Sequence, residues 1–466
     1  MEWKEGAAMG QKGNKTDGLE IFHSAPVPEA VIKNAVPSMA AMLMVLVYNL
    51  ADTFFIGQTH DALQMSAVSL ATPAFLLLMS LGQVFGIGGM SVIARAMGEG
   101  RQDYARQVCA FCMWACIVTG VVSGGAVLFF MDDLLHWLGA SPDTFDMARS
   151  YLAIVFSGCP LGLISVCYGN IIRAEGQANM AMAGQVIGNA LNIILDPVFI
   201  LYLDMNVAGA AIATLIGNFV AAAYYVGYFL CGKSLLSIHP RDVSLRNGIP
   251  AAVFSIGVPA ALGSVCMSFS QIVANARLAA YNDMALAGYG VAAKVNMVTS
   301  VVCIGLGQGV QPLLGYCLGA RLKDRFRRIL RFSFVSGLLL SIVLTALCYV
   351  FTGPLVRVFI TDPDAFGYGT TFVRIMLTTS CLFGAYYVLL STLQAVDAAT
   401  EALVLNLSRQ GFIFLPALFL LEHLIGITGI VWAQPAADLL SLLLAAVLAA
   451  HRLRKLCNVI KHMLQK

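Results

Sequence analysis

Two aspartates stand inside long apolar stretches of this chain, Asp52 in VLVYNLADTFFIG and Asp196 in ALNIILDPVFI. A charged side chain in hydrocarbon is unfavourable unless it is paired, hydrated or neutralised, so both positions point to chemistry. Asn192 precedes Asp196 by one helical turn and shares its face. Thr214 and Tyr151 return to the same depth when their own stretches are laid across a membrane in alternating directions. Two carboxylates, an amide and hydroxyls form an oxygen-rich set suited to a sodium ion, or to a proton held between acids that titrate as a unit. A blander reading stays open, with Asp52 snorkelling to an interface and Asp196 ending its helix before Pro197. That reading leaves the common depth of Asn192, Thr214 and Tyr151 unexplained. Pro37, early in the same stretch as Asp52, is either a hinge or a tolerated membrane proline.

The elements that must position these groups follow from composition. Of 466 residues, 59% are hydrophobic and 11% charged, against roughly 25% charged in an ordinary soluble domain. The apolar runs reach or exceed the roughly 20 residues that a helix needs to cross a bilayer, and they lack the alternating pattern of a transmembrane barrel. An all-α membrane protein is therefore expected, with about twelve helices near 34–57, 66–97, 105–131, 147–172, 178–202, 207–232, 251–280, 288–318, 328–353, 368–395, 400–421 and 427–450. The start MEWKEGAAMGQKGNKTDGLE has no signal-peptide pattern. Lysines and arginines fall almost wholly in the termini and alternate loops, 22 there against Arg149, Arg277 and Arg357 in the others. The positive-inside rule then places both termini in the cytoplasm. The basic run Arg321, Lys323, Arg325, Arg327, Arg328 and Arg331 is read as a topogenic loop facing lipid headgroups.

Shifting the chain on itself by about 222 residues lays Pro37 on Pro259 and Asp61 on Asp283. After a one-residue slip in that offset, Gly98 falls on Gly319 and Asp103 on Asp324. Six spans per repeat give both halves the same orientation, so two pseudo-symmetric six-helix bundles should enclose a central cavity. The expected layout is a cytoplasmic N-terminal tail (1–33), an N-lobe (34–232), a cytoplasmic linker (233–250), a C-lobe (251–450) and a cytoplasmic C-terminal tail (451–466). The C-lobe lacks an acid at the position of Asp52, but carries Arg277, Lys294, Arg374, Arg409 and Asp438 in or near its helices. Arg409 and Asp438 both come near mid-membrane and are read as a structural charge pair. Cysteines such as Cys109 and Cys112 lie on apolar runs and are expected as buried thiols, in neither a disulfide nor a metal site.

Several segments, taken in order, resemble the multidrug and toxic compound extrusion (MATE) transporters: Tyr48 to Gly57, Ala67 to Ala71, Gly98-Glu99-Gly100, Ile172 to Gly176, Asn192 to Pro197 and Gly429 to Pro435. The likeness runs from about residue 30 to 450 and is to the bacterial and archaeal branch with its cation site in the N-lobe. It implies two six-helix bundles that alternate between outward and inward access, exchanging sodium or protons for organic cations. Carried over by position, the family's cation ligands fall on Asp52, Asn192, Asp196 and Thr214, with a nearby tyrosine at Tyr151 and the bending proline at Pro37. Another branch places acidic ligands in the C-lobe, one of them on helix 7, where this chain has none.

The expected function is secondary active efflux of amphipathic, often cationic organic compounds, driven by Na+ or H+, without an enzymatic activity or a bound cofactor. Expected partners are these compounds and membrane lipids but no nucleic acid, and the expected working unit is a monomer in a bacterial or archaeal inner membrane. The alternatives are a flippase for lipid-linked precursors, which would want a cavity dominated by cationic residues, and a polytopic membrane enzyme, which would want catalytic motifs in larger loops.

Overall fold

The computed structural model describes residues 18–463 except 60, 61, 139, 233 and 361. Most of the expected N-terminal tail (1–17), Asp61 of the repeat, Lys233 at the head of the linker and residues 464–466 lie outside the described residues. Among the described residues the chain is helical, with ten helices long and apolar enough to cross a membrane and two bent pairs that bring the number to twelve.

The first six spans are α1 (Val27–Gly57), α2 (Ala62–Gly98), α3 (Gln102–Phe129), α4 (Pro142–Ser157 with Cys159–Ala174), α5 (Ala178–Tyr202) and α6 (Asn206–Leu230). The second six are α7 (Ile249–Ala279), α8 (Asp283–Gly319), α9 (Lys323–Val350), α10 (Pro363–Ser380 with Phe383–Ala395), α11 (Ala399–Ile425) and α12 (Ile427–Met463). Each set packs as one bundle, and the bundles meet where α1 lies against α8 and α2 against α7. The fold is thus the expected pair of six-helix lobes.

Features invisible to an apolar-run reading repeat in both lobes. Short helices Met131–Trp137 and Thr352–Phe359 follow α3 and α9 at the end away from the termini. α4 bends by 57° at Gly158 and α10 by 48° near Cys381. Pro160 explains the first bend, because its nitrogen has no proton to donate back along the helix. At the second, the carbonyl of Cys381 accepts a hydrogen bond from Ser341 Oγ of α9 at 2.6 Å. α1, by contrast, runs without interruption through Pro37, which is buried.

The end of the molecule that carries the termini is closed. Gly98 of α2 abuts the Tyr316 carbonyl of α8, and Gly319 of α8 abuts the Arg95 carbonyl of α2; a Cβ on either glycine would collide with the facing backbone. These are the two glycines that the repeat superimposes, so one crossing serves both lobes symmetrically, in the manner of small-residue contacts between membrane helices. Ser91 Oγ donates to the Gln394 carbonyl at 2.6 Å, and Arg95 pairs with Asp397 at 3.0 Å, both across the lobes.

Two expectations at this end need correction. The last part of the supposed tail is ordered: residues 18–23 are helical and α1 begins at Val27 rather than 34. Arg325, expected among headgroup-facing residues, is instead buried and donates from Nε to the Phe22 carbonyl at 2.7 Å and from Nη2 to the Ile21 carbonyl at 2.9 Å. It satisfies carbonyls that the end of a short helix leaves without intrahelical donors. Glu175, after α4, is likewise buried and accepts bonds from Ser234, Tyr228 and the backbone of Leu235 and Leu236, which fastens the start of the inter-lobe linker to the N-lobe.

Candidate cation site and central cavity

The residues singled out from the sequence come together in the N-lobe. α1 supplies Asp52 and, one turn earlier, Tyr48. α5 supplies Asn192 and Asp196, α6 supplies Thr214, and α4 supplies Tyr151. Asn192 Nδ2 donates to Thr214 Oγ1 at 3.2 Å. Asp52 and Asp196 lie within electrostatic reach of each other, and both act on Tyr48 and Tyr151.

Asp196 is fully buried, and Asn192, Thr214 and Tyr151 are nearly so. Among the described residues nothing donates a hydrogen bond to either carboxylate oxygen of Asp196, to Oδ1 of Asp52 or to Oδ1 of Asn192. Four buried acceptors without donors are costly in any fold, and a group of them asks for a positive partner. No group of three or more His, Cys, Asp or Glu side chains arranged to hold a metal ion occurs among the described residues. The arrangement is a mixed one, of two carboxylates, an amide and hydroxyl groups, with the chemistry of an alkali-ion or proton site.

Asp196 does not end its helix. α5 continues past Pro197 in a π-helical turn, Val198–Tyr202, where the Val198 N–H still reaches the Leu195 carbonyl. The wider turn absorbs the missing proline donor and keeps Asp196 on the inward face.

Beside the cluster, between the lobes, lies a cavity of about 470 Å³, a size typical of small-molecule sites. Tyr48, Asn192 and Thr214 belong to its wall, while Asp52 and Asp196 do not. Four methionines, Met42, Met79, Met267 and Met297, give it adaptable apolar surface. Its polar surface is unusual in kind: twelve lining residues carry side-chain amides, two are arginines, and no carboxylate lines it.

One of those arginines is neutralised. Arg409 sits on a second π-helical turn, Ser408–Phe412 in α11, and its Nε donates to Asp438 Oδ1 at 2.7 Å. Its Nη1 donates to the Tyr387 hydroxyl at 2.9 Å, and the rings of Phe383, Tyr386 and Tyr387 stack within 4.7 to 5.3 Å of the guanidinium carbon. Gln434 Nε2 and Thr379 Oγ1 complete the shell of Asp438. The other arginine, Arg173, donates from Nη1 to Asn170 Oδ1 at 2.9 Å and to Gln308 Oε1 of the opposite lobe at 3.3 Å.

Sequence reasoning passed over four of these groups. Tyr48 is one turn before Asp52 on the same face, a spacing that could have identified it. Arg173 was counted as a loop charge, and Gln308 carries no signal of its own. Glu422 fell just past the expected end of the eleventh helix, yet α11 runs to Ile425 and Glu422 accepts Arg277 Nε at 3.0 Å and Nη2 at 2.7 Å.

Comparison with known proteins agrees with the two-lobed fold. The MatE family profile matches residues 37–198 and again 259–420, two matches offset by the 222 residues of the internal repeat. The multidrug export protein MepA of Staphylococcus aureus is 30% identical over 440 residues, covering 94% of this chain and 97% of that protein. MepA of Staphylococcus saprophyticus subsp. saprophyticus is 30% identical over 449 residues, covering 96% and 98%. Among solved structures, the outward-facing conformation of a multidrug resistance MATE family transporter of the MOP superfamily superimposes with a TM-score of 0.91 at 22% identity, covering 95% of this chain and 99% of that one. A MATE in the bent conformation gives 0.88 at 22% identity over 96% and 99%.

Proposed function

Since this chain belongs to the MatE family of multi-pass membrane transporters and is not an enzyme, we propose that it exports amphipathic organic compounds, many of them cationic, in exchange for sodium ions or protons. The observation that carries this reading is the set of buried, undonated oxygens on Asp52, Asp196 and Asn192 beside a cavity between two lobes. In this reading the ion binds among Asp52, Asn192, Asp196 and Thr214, with Tyr48 and Tyr151 closing the site. Tyr48, Asn192 and Thr214 border the cluster on one side and the cavity on the other, so occupation by the ion and occupation by cargo act on the same helices, α1, α5 and α6. An ion shifts the conformational equilibrium only by binding one state more tightly than the other, and α1, with Pro37 as its hinge, is the element whose bending would change the geometry around Asp52.

The protein works as a monomer in a bacterial or archaeal inner membrane, with its termini in the cytoplasm. The closed crossing of Gly98 and Gly319 is then the cytoplasmic gate of an alternating-access cycle, shut in this conformation. A lipid-linked precursor flippase gains no support from the cavity, because amides outnumber arginines there and Asp438 already neutralises Arg409.

Ethidium efflux from energised bacterial cells expressing the chain tests the proposal. Faster efflux than in cells carrying an empty vector, abolished on de-energisation, is the expected result. Efflux no faster than in the control for ethidium and a panel of other amphipathic cations would overturn it.

A further inference from the structure

We infer that Arg173 forms an oxyanion subsite at the closed end of the central cavity, so that carboxylate- or phosphate-bearing amphiphiles belong to the cargo alongside plain cations. This rests on the transport reading above and names a substrate class for the same cavity.

Arg173 is 1% exposed and borders the cavity. Its Nη1 is engaged by Asn170 and Gln308, whereas Nε and Nη2 have no hydrogen-bond partner among the described residues. Those two nitrogens form one edge of the guanidinium, the flat two-donor edge that receives an oxyanion side-on. The same edge is seen at work elsewhere in this molecule: Arg277 holds the Glu422 carboxylate through Nε and Nη2. Arg173 therefore presents the donor half of that pair with the acceptor half missing.

Among the described residues nothing else supplies the missing charge. Among the described residues no carboxylate forms an ion pair with Arg173, and the nearest acid in sequence, Glu175, is taken up by Ser234, Tyr228 and the linker backbone. The cavity wall offers amides but no acid. A buried arginine left in this condition is strongly disfavoured unless a counter-ion visits it. Arg409, the other arginine of the wall, shows the contrasting case, with Asp438 and three aromatic rings satisfying it permanently.

The position also suggests when the subsite is available. Gln308 reaches Arg173 from the opposite lobe, and in this conformation the free edge is shut away from solvent. Parting the lobes at the end marked by Gly98 and Gly319 would break the Gln308 contact and open the fork to a ligand. Closing that end returns the Gln308 oxygen to Nη1 and shuts the Nε and Nη2 edge away again, so affinity for the oxyanion falls as the cargo is turned outward.

The test uses the full chain, purified and reconstituted into phosphatidylcholine vesicles, with imposed proton and sodium gradients. The probes are rhodamine 6G, an ester with positive charge alone, and the free acid obtained by hydrolysing that ester. Wild type should transport both, and Arg173→Gln should raise the KM for the acid about tenfold or more while leaving the ester near wild type. Arg173→Lys, which keeps the charge but not the flat edge, should recover part of the loss, and it carries the test if Arg173→Gln fails to fold. Equal loss of both dyes, or no loss of the acid, would overturn the subsite. Transport of the ester but not the acid by wild type would overturn it alone, whereas transport of neither would take the transporter reading down with it. Adding phosphatidylglycerol separates two sources of the oxyanion: competitive inhibition of acid transport alone shows a lipid phosphate entering the same subsite, and its absence leaves soluble cargo as the occupant. Inhibition of both dyes equally would count against the subsite.

Discussion

The two lobes treat charge in opposite ways at corresponding places. Near the far end of the N-lobe, Asp52 on α1 and Asp196 on α5 bring two acids together, and among the described residues nothing donates to their buried oxygens. About a turn beyond the matching positions of the C-lobe, Arg277 on α7 and Glu422 on α11 form a bidentate ion pair. Deeper in the same lobe, Arg409 and Asp438 are paired, hydrogen-bonded and packed among rings. A fold descended from a repeat can thus fill one copy of a site with its own counter-charge and leave the other without one, as the proposed ion site requires. Permanent pairing is the mark of a strut, and its absence in a buried site is the mark of a binding function.

The largest expected effect breaks the C-lobe strut. Asp438→Ala leaves the Arg409 guanidinium buried without its carboxylate, and removing one member of such a pair costs about 3–5 kcal/mol. The protein should be recovered in low yield with a sharply lower melting temperature in detergent, and the double variant Arg409→Met with Asp438→Leu should restore much of the stability. A double variant as unstable as the single one would show that the pair does more than hold the fold.

Next in size is the linker anchor. Glu175→Ala removes a buried carboxylate that accepts bonds from two side chains and two backbone amides. Hydrogen bonds to a charged group are each worth about 1.5–3 kcal/mol, partly offset by no longer burying the charge, so a net loss of about 2 kcal/mol is expected. Faster proteolysis within residues 234–248 would show it directly.

The opposite manipulation sharpens the comparison in the N-lobe. Asp52→Lys gives Asp196 a permanent cation and makes the site resemble Arg277 with Glu422. Transport should be lost while thermal stability holds or rises, a combination that a purely structural aspartate would not give. The smallest effect on transport belongs to Arg277→Gln. Its side chain is 47% exposed but that of Glu422 only 6%, so losing the pair lowers stability by more than the roughly 1 kcal/mol of a surface pair, while transport should be close to wild type in a direct assay.

Much of this was legible in the sequence, for identifiable reasons. Twelve spans follow from run length, and both lobes follow from the match of Gly98 to Gly319. The grouping of Asp52, Asn192, Asp196, Thr214 and Tyr151 follows from depth alone, because alternating helices return side chains to a common level. Pairing across long separations was not legible: Gln308 reaches Arg173 from 135 residues away, and no local pattern marks that encounter. Glu422 was missed because it stands beside His423 at the end of an apolar run, where helix boundaries read from hydropathy are good only to a few residues. The π-helical turns at Val198–Tyr202 and Ser408–Phe412 were missed because a one-residue insertion in helical pitch leaves hydrophobic periodicity nearly unchanged. Arg325 looked like a lipid-facing charge because its partners are backbone carbonyls of the N-terminal helix, which have no signature in the sequence.

The most direct test of the account measures ethidium transport in inside-out vesicles under separately imposed proton and sodium gradients, comparing wild type with Asp52→Asn and Asp196→Asn at equal protein levels. The account expects transport driven by at least one of the two gradients in wild type and none in either variant, with both variants melting no lower than wild type. Gradient-driven transport at the wild-type rate in both variants would contradict the assignment of the unpaired N-lobe acids as the site that couples the ion to the cargo.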